Sequence, residues 1–329
     1  MSHFDIYGLG AALVDTEITV TEADLQTFGV AKGVMTLVDE ARQHQLLELL
    51  QGHMVHATRA SGGSAANSII AAQYFGANTF YSCKVANDDN GRFYLEDLAR
   101  AGVAYPSNAG SESGITGKCL VMITADAERT MNTFLGISET LSIAEIDENA
   151  LNASKYVYIE GYLVTSATGR PAAIRLRELA RQHGVRTALS LSDPAIVEYF
   201  HAGLEEMVGN GVDLLFCNRA EALKFTRSTS LEQASDRLRD KARAFAITLG
   251  AEGALVFDGA ESFTVPAPKV VAVDTNGAGD MFAGAFLYAL TRGAGYREAA
   301  ELAVRAAAQV VSQFGPRLRP EQHQPLLRT

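Results

Sequence analysis

Strand-like apolar runs alternate with amphipathic segments along most of the chain, and this alternation restricts the possible folds more than any other feature. The runs are residues 4–9, 78–84, 155–160, 185–191, 213–217 and 244–249. Each of the later four adjoins a segment of helical periodicity, such as RPAAIRLRELARQHG at 170–184. Alternating strands and helices are typical of a mainly parallel sheet covered by helices. The pattern therefore predicts an α/β fold with helices on both faces of the sheet.

Two stretches interrupt this alternation. Residues 11–40 contain LVDTEITV and KGVMTLVD, which show little helical periodicity. Residues 112–136 contain two strand-like runs, ITGKCLVMIT and RTMNTFLG, on either side of the polar turn ADAE. We expect these insertions to form a small separate β-sheet that acts as a lid over a site. Because the sequence contains no linker-like or repeated segment, residues 1–329 are predicted to form a single domain.

Charge and cysteine content narrow the possible partners. With 38 acidic and 28 basic residues the formal net charge is -10, which disfavours binding to nucleic acid or to an anionic membrane. Cys83, Cys119 and Cys217 are far apart and predict no disulfide framework or zinc site, and the pair His53 and His56 lacks a third ligand. The sequence has no leader-like start and no long apolar run. We expect a cytoplasmic protein, monomeric or homodimeric, that acts on a small molecule.

Two common phosphate-binding motifs are absent or incomplete. A Walker loop needs GxxxxGK followed by Ser or Thr, but Glu112 stands where the first glycine would precede the GK pair at 117–118. The dinucleotide fingerprint has Gly8 and Gly10 but Leu13 at its third glycine position. Neither a P-loop enzyme nor a dehydrogenase is favoured.

The run DTNGAGD at 274–280 is a stronger signal for anion binding. Its small residues 277–279 leave three backbone N–H groups unobstructed at the start of a predicted helix, where the helix dipole adds positive potential. Asp280 either caps this helix or accepts a proton, and the helix N-terminus predicts a low pKa for its carboxyl group. Gly284 lies inside the helix at a cost of about 1 kcal/mol, so a close neighbour is expected there.

Three further segments accompany this run in a fixed order: SGGSAANSIIAAQYFGA (61–77), CNRAE (217–221) and ITLGAEGALVF (247–257). Together with DTNGAGD they resemble the motifs of the PfkB family of carbohydrate and nucleoside kinases, whose fold is called ribokinase-like. The resemblance covers nearly the whole chain, and the ordered set is specific. The segments GLGAALVD, ITADAERTMNTFLG and LSLSDPA are most similar to the adenosine-kinase-like branch.

The resemblance implies an ATP-dependent kinase that uses Mg²⁺ and phosphorylates a hydroxymethyl group of a sugar or ribonucleoside, such as ribose or adenosine. It assigns proton transfer to Asp280, beside an anion hole formed by Gly277, Ala278 and Gly279. It assigns acceptor binding to Asp15, Gly62, Gly63, Asn67 and Arg129, nucleotide binding to Asn218, Thr248, Gly250 and Gly253, and Mg²⁺ binding through water to Asn218 and Glu221. Some members of the family bind a monovalent cation such as K⁺ at positions that match Asp274 and Gly315.

Alternatives stand beside several of these roles. Asp15 after a strand is also typical of a turn, and Arg129 of a solvated hairpin. Asn218 and Glu221 also suit the polar start of a helix. A non-catalytic sensor that binds a sugar or nucleoside in the same pocket is the rival function, although it would not need Asp280.

Two departures from the adenosine-kinase-like pattern concern the acceptor. Ala11 stands where those kinases usually have Asn, and Ala195 stands where they often have an aromatic residue that lines the adenine pocket. Both changes remove groups that recognise a base, and paired polar groups are what give strong discrimination. The sequence therefore leaves open whether the acceptor is adenosine, another nucleoside, ribose or another sugar.

Overall fold

The computed structural model describes residues 4–53, 58–126 and 128–328, whose strands form two separate sheets. The strands are β1 (Phe4–Leu9), β2 (Leu13–Thr19), β3 (Met35–Leu37), β4 (Thr58–Gly62), β5 (Thr79–Ser82), β6 (Thr116–Ile123), β7 (Arg129–Gly136), β8 (Ser154–Glu160), β9 (Arg186–Ser190), β10 (Val212–Asn218), β11 (Ala242–Thr248), β12 (Ala254–Phe257) and β13 (Ser262–Val265). The α-helices are α1 (Glu22–Phe28), α2 (Glu40–Leu49), α3 (Ser64–Phe75), α4 (Asp89–Ala101), α5 (Glu148–Asn152), α6 (Gly169–Gln182), α7 (Pro194–Tyr199), α8 (His201–Val208), α9 (Arg219–Thr226), α10 (Leu231–Leu238), α11 (Ala278–Thr291), α12 (Tyr296–Val311) and α13 (His323–Leu326).

The large sheet has eight strands in the order β13-β12-β11-β10-β9-β8-β1-β5. Pairing is parallel from β5 to β11, and β12 and β13 add an antiparallel edge. All six predicted runs form strands of this sheet, namely β1, β5, β8, β9, β10 and β11. The prediction of a mainly parallel α/β sheet is therefore confirmed.

Helices cover both faces of the large sheet because its strands bury alternate side chains on opposite faces. Ile6 of β1 packs among α3, α4, α11 and α12, whereas its neighbour Tyr7 packs among α5 to α10. In β8, Tyr158 packs in the same core as Ile6, and Val157 packs in the same core as Tyr7. The three cysteines are free and buried.

Helices α3 and α11 pack unusually closely on one face of the large sheet. A Cβ at Gly284 of α11 would lie within 3.0 Å of the backbone oxygen of Ser68 and of the Ala71 side chain, both on α3. The expectation of a close neighbour at Gly284 is confirmed. This contact holds the first turns of the two helices side by side, where the site described below begins.

The small sheet has five strands in the order β3-β7-β6-β2-β4, and β6 and β7 form the predicted hairpin. Helices α1 and α2 cover its outer face, where Ile18, Leu25, Leu46 and Met122 form a third core. The prediction that residues 11–40 lack helix is therefore wrong for α1. Strand β4 also joins this sheet, although it lies outside both predicted insertions.

Among the helices that the structure describes, none is long and apolar enough to cross a membrane. His56, one of the two histidines considered above, lies outside the described residues. His53 contacts Asp24 of α1 at 3.3 Å between ring Nε2 and Oδ2.

Candidate active site

A cavity of about 690 Å³ lies between the small sheet and the carboxyl edge of the large sheet. The last residues of four adjacent parallel strands line it, namely Glu160, Ser190, Asn218 and Thr248. Open α/β sheets favour ligands at this edge. Of the residues that the sequence predicted, the cavity brings together Asp15, Gly63, Asn67, Asn218, Glu221, Thr248, Gly250, Gly277, Ala278, Gly279 and Asp280.

The two glycines of the GAGD run are required for different structural reasons. Gly277 is the N-cap of α11 with φ 74°, and a Cβ there would lie within 3.0 Å of the Pro316 backbone. A Cβ at Gly279 would meet nothing within 4 Å, so this glycine keeps the helix start open toward the cavity. Ala278 donates its N–H to the Thr275 carbonyl oxygen at 3.3 Å, so the expectation of three free N–H groups is wrong for Ala278. Within the described part of the chain, the N–H groups of Gly277 and Gly279 make no backbone hydrogen bond.

Asp280 faces helix α3 and does not cap its own helix. Ser64 donates its hydroxyl to Asp280 Oδ1 at 2.6 Å, and Asn67 donates Nδ2 to Oδ2 at 3.1 Å. Burial raises the pKa of Asp280 to about 6, although both hydrogen bonds oppose the rise. The capping alternative and the prediction of a low pKa are therefore wrong, because loss of solvent outweighs the helix N-terminus. A carboxylate with this pKa is suited to accept a proton near neutral pH.

Two polar residues of the site were missed in the sequence. Ser64 holds Asp280, and Glu160 ends β8 at the cavity wall. Glu160 accepts backbone N–H groups from Ala11 at 2.7 Å and Ala65 at 2.8 Å. Burial still raises its pKa to about 7. Glu160 thus links the segment before β2 to the start of α3. The sequence offered no motif for this role, because a single acidic residue at the end of a strand is common.

Residues that the resemblance assigns to the acceptor form a polar base of the cavity. Asp15 lies within β2, and a Cβ at Gly62 would lie within 3.0 Å of its carboxyl group, so Gly62 makes room for the acid. Burial raises the pKa of Asp15 to about 7. Gly63 has φ 101°, and the buried Asn67 Oδ1 has no hydrogen-bond partner among the described residues. Asn67 therefore presents an unused acceptor at the cavity.

One face of the small sheet forms an apolar wall over this polar base. The wall consists of alternate residues of β2, β3, β6 and β7, namely Leu13, Met35, Leu37, Cys119, Met131, Thr133 and Leu135. Ala11 also lines the cavity, as the sequence comparison expected. Ala195 does not line the cavity; it lies in the exposed first turn of α7 behind the cap Asp193, and the loss of a pocket contact at this position stays a prediction.

Of the residues that the resemblance assigns to the nucleotide, Thr248 and Gly250 line the cavity and Gly253 does not. A Cβ at Gly253 would lie within 3.0 Å of the Val265 backbone oxygen, so the turn into β12 requires a glycine. The contact of Gly253 with a nucleotide stays a prediction.

Asn218 and Glu221 form a reciprocal cap at the start of α9. Asn218 Oδ1 accepts the Glu221 N–H at 2.9 Å, and Glu221 Oε2 accepts the Asn218 N–H at 2.9 Å. Burial raises the pKa of Glu221 to about 7. Both residues also line the cavity, and the described residues contain no cluster of three His, Cys, Asp or Glu that could hold a metal alone. This donor set fits Mg²⁺, which usually keeps several waters and binds substrate phosphates.

Arg129 lies outside the cavity lining and is not a solvated hairpin residue. Its guanidinium is buried and bonded to both oxygens of Asp274, with Nε donating to Oδ1 at 2.6 Å, and Nη1 donates to Glu17 at 3.0 Å. Asp274 also accepts the N–H groups of Asn276 at 3.0 Å and Gly315 at 2.8 Å. Arg129 is thus bonded to the start of the DTNGAGD run and lies outside the cavity lining, and its contact with the acceptor stays a prediction.

Comparison with known proteins finds kinases that share this fold over nearly the whole chain. The chain resembles the crystal structure of adenosine kinase from Sinorhizobium meliloti, with a TM-score of 0.91, 32% identity, and 99% of each chain covered. It equally resembles the structure of a probable sugar kinase from Rhizobium etli CFN 42, with a TM-score of 0.91, 31% identity, and 100% and 99% of the two chains covered. Adenosine kinase of Schizophyllum commune is 29% identical over 97% of this chain and 98% of its own length.

The family model described as pfkB family carbohydrate kinase matches residues 32–323. That range contains Asn67 of the polar base, the reciprocal cap and the GAGD run, whereas Asp15 precedes it. The comparisons give no support to a non-catalytic binding protein. The chain therefore belongs to the pfkB family of carbohydrate kinases and is an ATP-dependent sugar or nucleoside kinase of ribokinase-like fold.

Proposed function

We propose that the acceptor is a purine ribonucleoside, with adenosine as the first compound to test, and that its 5′-hydroxymethyl group receives the γ-phosphoryl group of ATP. The observation that carries this proposal is the division of the acceptor side into a polar base and an apolar wall. Asp15 and Asn67 suit the hydroxyl groups of a ribose. Met35, Met131 and Leu135 offer a wall for an aromatic base, which a free sugar lacks.

The chemistry of the transfer follows from the placement of Asp280. The acceptor hydroxyl oxygen attacks the γ-phosphorus, the bond to the β-phosphate oxygen breaks, and ADP leaves. Asp280 takes the hydroxyl proton, while the N–H groups of Gly277 and Gly279 face the oxygens of the transferred group. When bound, Mg²⁺ supplies charge neutralisation on the phosphates, and Asn218 and Glu221 would hold it through water.

An acceptor panel tests this function. With Mg²⁺-ATP, we expect kcat/KM for adenosine to exceed that for ribose by roughly 10²-fold, because burial of a base against the apolar wall favours the nucleoside. ADP release across adenosine, inosine, cytidine, ribose and fructose measures this. Ribose turnover equal to that of adenosine would assign the site to free sugars. Acceptor binding by calorimetry without ADP formation would favour the sensor.

The charge next to Asp274 suggests that the kinase needs no monovalent cation. The buried guanidinium of Arg129 already supplies a positive charge to both carboxylate oxygens. We expect rates in potassium chloride and in tetramethylammonium chloride, at equal ionic strength, to agree within about twofold. Steady-state rates in the two salts measure this, with sodium chloride as a third condition. Activation by K⁺ well beyond that range would place a cation in the loop despite Arg129.

A further inference from the structure

The segment Gly315–Arg317, near the end of the chain, packs against the DTNGAGD run. Gly315 donates its N–H to Asp274 Oδ2 at 2.8 Å. The backbone of Pro316 occupies the space into which a Cβ at Gly277 would project. The segment therefore touches the loop that carries the anion-binding N–H groups, although its sequence looks like an ordinary polar terminus.

Arg317 continues from this contact to the base of the small sheet. Its Nη1 donates to Ser61 Oγ at 3.3 Å and its Nη2 to Asp97 Oδ2 at 3.2 Å. Ser61 is buried and also donates its hydroxyl to Asp97. Burial opposes ionisation of Asp97, but Arg317 and Ser61 hold its pKa below the usual value. The Arg317 side chain is only 16% exposed, so its charge acts where solvent screens weakly.

Ser61 is the residue before Gly62, and Gly62 is the residue against which the Asp15 carboxyl group rests. Arg317 is thus linked to Asp15 through the last two residues of β4, Ser61 and Gly62. The other titratable or charged groups that act on Asp15 from the surrounding elements are Glu17, Tyr94, Cys119, Arg129 and Asp280. Burial raises the pKa of Asp15, Arg317 and Arg129 lower it, and Glu17 and Asp280 raise it. Both arginines are paired with carboxylates, Arg129 with Asp274 and Glu17 and Arg317 with Asp97, and of the two Arg317 lowers the pKa of Asp15 more.

We propose that Arg317 is a positioning residue for acceptor binding: it anchors the end of β4 to Asp97 of α4 through Ser61, and it places a largely buried positive charge one residue from Gly62, which contacts the Asp15 carboxyl group. The proposal rests on the proposed function, in which Asp15 binds the acceptor sugar. It assigns Arg317 no contact with either substrate. Its loss should therefore weaken acceptor binding in a pH-dependent way and leave ATP binding unchanged.

The test compares Arg317→Gln, which keeps hydrogen-bonding capacity but loses the charge, with Arg317→Lys, which keeps the charge. Arg100→Gln is the matched control, because Arg100 also pairs with Asp97, at 3.2 Å, but its side chain is 69% exposed. Calorimetry with adenosine in the absence of ATP, between about pH 6 and pH 9.5, gives the dissociation constant and its pH midpoint.

For Arg317→Gln we expect adenosine binding to weaken by roughly tenfold at pH 6.5 and to recover to within about threefold at pH 9.5, because the midpoint moves upward. Arg317→Lys should keep the parent midpoint, and Arg100→Gln should match the parent at every pH. Loss of affinity by the same factor at all pH values, or the same midpoint shift in Arg317→Lys, would overturn the electrostatic part of the proposal.

If Arg317→Gln does not fold, Ser61→Ala decides the positioning part. This variant removes the hydroxyl group that links the end of β4 to Arg317 and leaves the charge of Arg317 in place. Adenosine binding should therefore weaken by roughly threefold to tenfold, without a shift in the pH midpoint of binding. Unchanged affinity in Ser61→Ala would overturn the proposal. If the proposed function itself were wrong, the parent protein would not bind or phosphorylate adenosine, and this result is distinct from a loss of binding in the variants alone.

Discussion

Asp280→Asn is expected to lower kcat by roughly 10²–10⁴-fold, the usual contribution of a positioned general base. An amide cannot take the proton of the acceptor hydroxyl. Ser64 and Asn67 can still hydrogen-bond to the amide, and the N–H groups of Gly277 and Gly279 do not depend on the carboxylate. We therefore expect both substrates to bind with dissociation constants within about threefold of the parent values.

The pH profile and the thermal stability of this variant provide further readouts. Because the pKa of Asp280 is raised to about 6, kcat of the parent should rise with pH through this value and level off above it. The variant should lack this step. A carboxyl group whose pKa is raised on folding destabilises the folded protein once it is ionised, here above about pH 6. Tm of Asp280→Asn at pH 8 should therefore equal or exceed that of the parent.

Asp89→Asn is the matched control, since Asp89 also lies in the first turn of a helix, α4, but is exposed to solvent. It should keep full turnover. If Asp280→Asn kept kcat within about threefold of the parent, Asp280 would be a structural partner of α3 and the base would lie elsewhere.

Asp15→Asn is expected to raise the acceptor KM by roughly 10²-fold, because two charge-assisted hydrogen bonds to sugar hydroxyls would be weakened and water recovers part of the loss. The KM for ATP should stay within about threefold of the parent, since Asp15 lies on β2 of the small sheet, whereas Thr248 and Gly250 lie at the end of β11 in the large sheet. Steady-state kinetics with each substrate varied in turn separates the two constants.

Gly62→Ala provides an independent check of the same contact. Its Cβ would lie within 3.0 Å of the Asp15 carboxyl group and would displace it without changing the charge. We expect the same selective rise in the acceptor KM. An unchanged acceptor KM in both variants would leave Asp15 as a structural residue of β2.

Most of the large sheet could be predicted because the signal for each strand is local. The runs at 4–9 and 155–160, for example, alternate side chains toward two cores that helices of clear periodicity cover. Helix α1 was missed because it has only seven residues and buries only Leu25 and Phe28. Its reciprocal cap, Thr21 with Asp24, was the available signal.

The site was predicted by motif, but its interactions depend on contacts between distant parts of the chain. Asp280 and Ser64 are 216 positions apart, and their contact together with burial under the small sheet determines the pKa that the helix N-terminus alone predicted wrongly. Arg129 and Asp274 are 145 positions apart, so no local pattern could reveal that the lid arginine was already paired. Short-range reasoning selected residues of which most line one cavity, but it misplaced several of their partners.

The contact between Gly284 and Ser68 has a consequence for engineering. A stabilisation screen based on helix propensity would select Gly284→Ala, which gains about 1 kcal/mol in an isolated helix. Here the added methyl group would push α11 away from α3 and widen the gap between Asp280 and its two donors. Gly284 is thus the spacer that sets the distance between Asp280 and helix α3, and stabilising substitutions should be sought on helices that do not carry Asp280, Ser64 or Asn67.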